Sequence, residues 1–220
     1  SGAVVLAGVI RIASGQSSRG ITLQGVSTAA NTVSGSITNL SATSVNSVTK
    51  ISSGNWTLSG TNLYSGPTIV NGGTLFLSGN GSISNTVLIS IASGATFDVS
   101  GLSSTFTLGA GQSISNSTGT VNGSLATAAG SLIYPATVGA AGALTCNNNL
   151  DLGAGGTVTF DLDTTAAGIN DQIAVGGNLT LSSSDYIHIN ALSGSLEAAD
   201  YVLFLVGTGT SMATTPVLVW

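Results

Sequence analysis

The chain has 220 residues, and Ser (33), Thr (28) and Gly (31) fill 92 of them, while charged residues make up only 5%, against about 25% in an average soluble domain. Three basic residues, Arg11, Arg19 and Lys50, against eight acids give a formal net charge of −5, which excludes nucleic-acid binding and attachment to an anionic membrane surface, since both need clustered Lys and Arg. Hydrophobic residues at 42% are enough to build a core, so the composition is not that of a disordered chain.

Taken from the N-terminus, SGAVVLAGVIRI is among the most apolar stretches, and alternation of apolar with small polar residues follows it along most of the chain. Trp56 and Leu58 share one strand face with Thr57 on the other. Phe97 and Val99 flank Asp98, and Phe106 and Leu108 flank Thr107. Val158, Phe160 and Leu162 repeat the pattern, with Thr159, Asp161 and Asp163 expected outward. Leu179 and Leu181 flank Thr180, and Ile187 and Ile189 flank His188. Near the C-terminus, Tyr201 to Val206 and PVLVW read as strands, the former apolar on both faces. No apolar stretch approaches the ~18 residues of a membrane-spanning helix. The opening lacks a basic segment leading into a long apolar one, and the chain closes directly after a strand, so a processed segment of a longer product is expected.

The strands recur at a fixed interval. Marking Leu6, Leu23, Leu40, Leu58, Leu77, Val99, Val121, Leu144, Leu162, Leu181 and Leu203 gives steps of 17 to 23 residues, the period of a solenoid rather than of a sandwich. The expectation is a single continuous all-β domain over residues 1–220, a parallel β-helix of about nine to eleven coils. Asn-Gly at 71–72, 80–81 and 122–123 and Gly-Gly at 72–73, 155–156 and 176–177 supply tight corners. Stacked Thr and Ser suit a flat outer face, whereas like charges one coil apart repel, which accounts for the scarcity of Lys, Arg and Glu. Residues 126–143, rich in Ala and Gly and containing Pro135, are expected to form an irregular coil or a protruding loop.

Residues 54–79, GNWTLSGTNLYSGPTIVNGGTLFLSG, closely resemble the autotransporter-associated β-strand repeat, a passenger-associated repeat of bacterial surface proteins. Trp56, Leu58, Gly60, Asn62, Tyr64, Gly66, Thr68, Val70, Gly73, Thr74 and Leu75 occupy its pattern positions. RGITLQG at 19–25 looks like the segment before such a repeat, and GGTVTFDLD with NDQIAVGGNLTLSSSDYIHI like the segment after it. Pro67 departs from the pattern, and no membrane β-barrel translocator is recognisable in these residues. The resemblance implies a right-handed parallel β-helix, export across the cell envelope, and a structural or adhesive role at the surface.

Chemistry-bearing residues are few. Asp161, Asp163 and Asp171 are the acidic cluster and offer oxygen ligands for calcium, but two of them alternate outward from a strand and the third lies in a turn, so no metal is expected. Asp98 reads as a solvated outward carboxylate. His188, the single imidazole, has Asp185 three residues before it and is expected on a solvated strand face. Cys146, the single cysteine, excludes an internal disulfide and a zinc site and is expected as a buried thiol. A polysaccharide-cleaving β-helix would need paired carboxylates, and Asp98, Asp161, Asp163 and Asp185 fall on different coils. Phe76, Tyr64 and Tyr186 are candidates for stacking on sugar rings. No GxxxxGK[ST] loop is present, and the six N-x-S/T sequons, at Asn39, Asn55, Asn80, Asn116, Asn122 and Asn178, follow from the Ser/Thr content.

These readings converge on a non-enzymatic structural β-solenoid, extracellular or at a bacterial cell surface, with no catalytic residues, no cofactor and no metal. Its expected partners are its own copies stacked end to end, flanking coils of a longer chain, or surface glycans, and neither nucleic acid nor a spanned membrane. A carbohydrate-binding or polysaccharide-cleaving β-helix is the alternative.

Overall fold

In the computed structural model, residues 3–11, 19–115, 118–207, 209–212 and 217–219 are described. Asn116 of the sequons and Pro216 and Trp220 of the closing stretch fall outside them. The described residues contain strands and turns and no helix, and therefore no helix long and apolar enough to cross a membrane.

Two parallel sheets, each nine strands deep among the described residues, run the length of the molecule. The first begins with Val5–Leu6, Asn31–Val33, Asn55–Leu58 and Thr74–Gly79, continues through Thr96–Leu102, Thr120–Asn122 and Ala143–Cys146, and ends with Gln172–Val175 and Phe204–Val206. The second begins with Arg19–Leu23, Asn46–Lys50, Thr68–Val70 and Leu88–Ile91, continues through Ser113–Ile114, Leu132–Ile133 and Thr157–Leu162, and ends with Tyr186–Ala191 and Val217–Val219. A third face is a strand pair, Ile10–Arg11 with Ile37–Thr38, then two isolated parallel bridges, Thr38 to Leu63 and Thr61 to Ser82. It resumes as five strands from Phe106–Leu108 to Gly209–Met212. Each strand pairs in parallel with its counterpart one coil away. The protein is a parallel β-solenoid.

The coil number corrects the estimate from residue spacing. The sheets are nine deep, and seven coils carry a strand on all three faces, so eleven is too many. The marked leucines changed faces along the chain: Leu23 and Leu162 lie in the second sheet and Leu181 in the third, while Leu6 and Leu40 are exposed. Along one true column, Asn31, Trp56, Leu75, Phe97, Val121, Cys146, Val175 and Val206, successive members are 19 to 31 residues apart.

The core is this column and its equivalents on the other faces. Val48, Thr68, Ile89, Ile114, Ile133, Val158 and Ile187 stack inside the second sheet. Phe106, Leu125, Leu150 and Leu179 stack inside the third. Edge-to-face aromatic pairs cross between the walls, Phe97 to Phe106 with ring centroids 5.4 Å apart and Phe160 to Phe204 at 5.2 Å. The inward assignments of Trp56, Leu58, Phe97, Val99, Phe106, Leu108, Val158, Phe160, Leu162, Leu179, Leu181 and Ile187 agree with their burial.

Coil length varies mainly at one corner, where the chain passes from the second sheet to the first. The early passages, at 24–30, 51–54, 71–73, 92–95 and 115–119, are shorter, while the late ones become excursions over 134–142, 163–171 and 192–203. Residues 126–143 are thus partly regular: they contain the end of strand Leu125–Thr127, the strand Leu132–Ile133, and the first excursion.

Candidate functional site

The repeat-like segment is the best place to see what this sequence does for the fold. Trp56 turns inward and its indole Nε1 donates to the Gln24 carbonyl at 3.1 Å, one coil back. Asn62, fully buried, joins three coils: its Oδ1 accepts from Ile37 N at 3.0 Å, and its Nδ2 donates to the carbonyls of Gly60 at 2.9 Å and Ser82 at 3.0 Å. Tyr64 is fully buried, its hydroxyl 2.6 Å from Thr68 Oγ1. Thr68 in turn donates to Thr86 Oγ1 at 3.2 Å, and Thr86 donates to the Gly66 carbonyl at 2.5 Å. Burial pushes the Tyr64 phenol well above its usual pKa, so it stays neutral. Tyr64 therefore cannot stack on a ligand, contrary to the expectation of an exposed ring. Gly66 and Gly73 are required by contact: a Cβ at either would lie 2.4 Å from a carbonyl oxygen of the previous coil, and Gly73 also has φ +60°.

Lys50 occupies the inward column of Leu23 and Val70 and is fully buried. Its ammonium donates to the carbonyls of Ile51 at 2.8 Å, Ser52 at 2.7 Å and Gly72 at 2.9 Å. Desolvation pulls its pKa below the ordinary lysine value. The carbonyl cradle includes Ser52, which has φ 65° and is the one non-glycine with positive φ among the described residues. This lysine is a wall element and not a surface charge.

Acids are concentrated on the excursions. Asp161 and Asp163, at the end of Thr157–Leu162 and just beyond it, and Asp171, before Gln172–Val175, all lie about the second excursion, and Glu197 and Asp200 lie on the third. Asp161 and Asp171 are buried, which corrects the expectation of an outward Asp161. Asp161 accepts from Gly139 N at 2.6 Å and Asn190 Nδ2 at 2.5 Å. Asp171 accepts from Gly142 N at 2.7 Å and Asp161 N at 2.9 Å. Asp163 accepts from Thr164 N at 2.6 Å, and Glu197 from Ala166 N at 2.5 Å. The carboxylates thus fasten three successive excursions to one another, and the described residues hold no group of His, Cys, Asp or Glu arranged to bind a metal.

Burial and the neighbouring Asp161 charge outweigh the two amide donors and raise the Asp171 pKa to about 6. A carboxyl raised above its unfolded value stabilises the fold fully at pH values below that unfolded value, and the contribution is lost as pH rises through 6. In Asp161→Asn the neighbouring charge is gone, so the Asp171 titration moves to lower pH. Carboxyl NMR titration of both proteins checks this, and an unmoved Asp171 in the variant would show that Asp161 plays no part.

Asp98 is also buried, against the expectation of a solvated carboxylate, and the register of its strand shifts between Asp98 and Gly101. Ser100 N and Oγ donate to it at 2.9 and 2.6 Å, and Asn122 Nδ2 at 2.8 Å. Asp185 turns inward at a corner, accepting from Ser182 N at 2.6 Å and Gly155 N at 3.1 Å, and burial raises its pKa. His188 stands half-buried on the outer side of its strand, beside Thr159 and Val219. Asp185 and His188 therefore occupy different surfaces.

Cys146 is fully buried in the first sheet, and burial pushes its thiol up to about 12. It is expected to resist alkylation by maleimide reagents in the folded protein and to react in denaturant, which mass spectrometry of the two samples reads directly. Rapid native labelling would place the side chain outside the wall. Tyr186 is exposed and Phe76 half-buried, both on outer faces.

Comparison with curated proteins and with solved structures yields no match. The family model of the passenger-associated-transport-repeat matches residues 48–77, a window that opens six residues before the resemblance at 54–79. It takes in Val48, Lys50 and the corner that Lys50 fastens, and the strands Asn55–Leu58 and Thr68–Val70. Residues 48–77 are thus similar to a passenger-associated-transport-repeat and sit within a parallel β-solenoid, with inter-coil bonds at Trp56 and Asn62.

Proposed function

We propose that the chain is a non-enzymatic extracellular scaffold, a rigid β-solenoid shaft on a bacterial surface. One observation carries the reading: five charged side chains and the thiol of Cys146 are bound into the wall. Lys50, Asp98, Asp161, Asp171 and Asp185 are tied to backbone or side-chain groups of their own or an adjacent coil, and Cys146 is packed in the core. A nucleophile or general acid needs an accessible, poised group. The repeat supports a secreted or surface location, because its family is one of bacterial passenger segments.

Partner coils are the second element of the proposal. Val4, Val5, Leu6 and Val9 in the first described coil, and Val202 and Leu205 in the last, are exposed apolar side chains. Covering them with further coils, from the same product or from another copy, extends both ladders in register. Electron microscopy of native material with intact mass tests this. Fibres of 21.4 kDa subunits, or rods from a heavier chain containing this segment, support the scaffold. Isolated particles of this mass that turn over a polysaccharide overturn it.

A further inference from the structure

On the outer side of the first sheet, Phe76 is flanked by Thr57 in the preceding coil and Asp98 in the following one. Its chain neighbours Leu75 and Leu77 point inward and are fully buried, so the core is filled without it. The adjoining outward column is Asn55, Thr74, Thr96, Thr120 and Thr145. In this field of hydroxyl and amide groups, Phe76 is the aromatic side chain among the described residues. It forms one wall of a shallow cavity of about 270 Å³ that Thr28, Ala30, Asn55 and Thr57 complete.

The lining selects the ligand chemistry. Phe76 and Ala30 contribute apolar surface to the lining, while the Thr28 and Thr57 hydroxyls and the Asn55 amide, whose Nδ2 also reaches the Thr28 carbonyl at 3.5 Å, contribute groups able to donate and accept. No lining residue is charged, and the net charge of −5 works against anionic ligands. The ladder of the first sheet fixes the backbone positions of Phe76, Asn55 and Thr57, so little backbone ordering opposes binding. A pyranose ring has the matching anatomy, one C–H face and an equatorial belt of hydroxyls.

We propose that this cavity binds a neutral pyranose unit of a polysaccharide, stacked by its C–H face on Phe76 and hydrogen-bonded by Asn55 and Thr57. The site does not depend on how coils assemble, so its failure and that of the scaffold are separately visible. The test is an NMR titration of the isotope-labelled chain with gluco-, manno- and galacto-configured neutral oligosaccharides, with a glucuronate oligosaccharide as the charged comparison. At least one neutral sugar shifts the Phe76 ring signals saturably and leaves the exposed Tyr186 ring unmoved. Phe76→Ala retains the wild-type circular dichroism and unfolding midpoint and loses the binding, and Thr57→Val weakens it about tenfold. Unmoved Phe76 signals with every neutral sugar, unaltered binding by Phe76→Ala, or equal shifts at Phe76 and Tyr186 overturn the proposal.

Discussion

Leu77→Asp and Phe97→Asp chains are expected not to reach the folded state: expression should give insoluble material or a soluble chain without a cooperative denaturant transition. Both side chains are fully buried. Leu77 pairs in register with Leu58, and Phe97 lies between Leu75 and Val121 with its ring edge-to-face on Phe106. An ionised carboxylate among these neighbours finds no counter-charge. Its desolvation costs several kcal/mol, a large share of the ~5–15 kcal/mol that stabilises a typical domain. Leu77→Val and Phe97→Leu, which shrink the side chain and keep it apolar, should unfold cooperatively at a reduced midpoint. Wild-type stability in both Asp variants would mean that the strand faces are reversed.

Lys50→Met is expected to be the next most damaging change among those considered. Methionine fills the volume of the lysine stem but leaves the carbonyls of Ile51, Ser52 and Gly72 without their donor. A fully buried acceptor stripped of its partner costs about 1–3 kcal/mol; Ile51 and Gly72 are half-buried and Ser52 is exposed, so each loss falls toward the low end of that range, at a corner already holding a non-glycine at positive φ. Lys50→Gln, whose amide offers two donors, should fall between the wild type and the methionine variant. Urea unfolding of the three proteins checks the order. A methionine variant as stable as the wild type would show that the cradle satisfies itself through water.

Alternation made the apolar half of the wall legible and misplaced the polar half. Trp56, Leu58, Phe97 and Phe160 were readable because an apolar residue at every second position has one favourable side. The same rule, applied without regard to polarity, also turns Lys50 inward, since Asn46, Val48 and Lys50 are all buried on one face. The charge concealed a periodicity that was present. Asp98 and Asp161 obeyed the pattern locally and were still misread, because their burial comes from groups 22 to 29 residues away, Asn122, Gly139 and Asn190. Those distances approximate one coil, and no short window contains both partners. Tyr64 sits where the third face is reduced to isolated bridges, so no strand alternation marks it, although its place in the repeat pattern does. The Phe76 cavity was legible only as an aromatic at an outward position; its wall of Thr28 and Ala30 comes from two coils back.

The three excursions at one corner leave both nine-strand ladders in register beside them. Length can therefore be added at that edge without altering the pitch of the shaft, which separates two evolutionary variables that a globular fold entangles. Whole coils set how far the shaft reaches, in increments of ~4.8 Å, while corner insertions set what it displays along its flank. A lineage can thus retune the decoration of one flank while the length of the solenoid stays fixed.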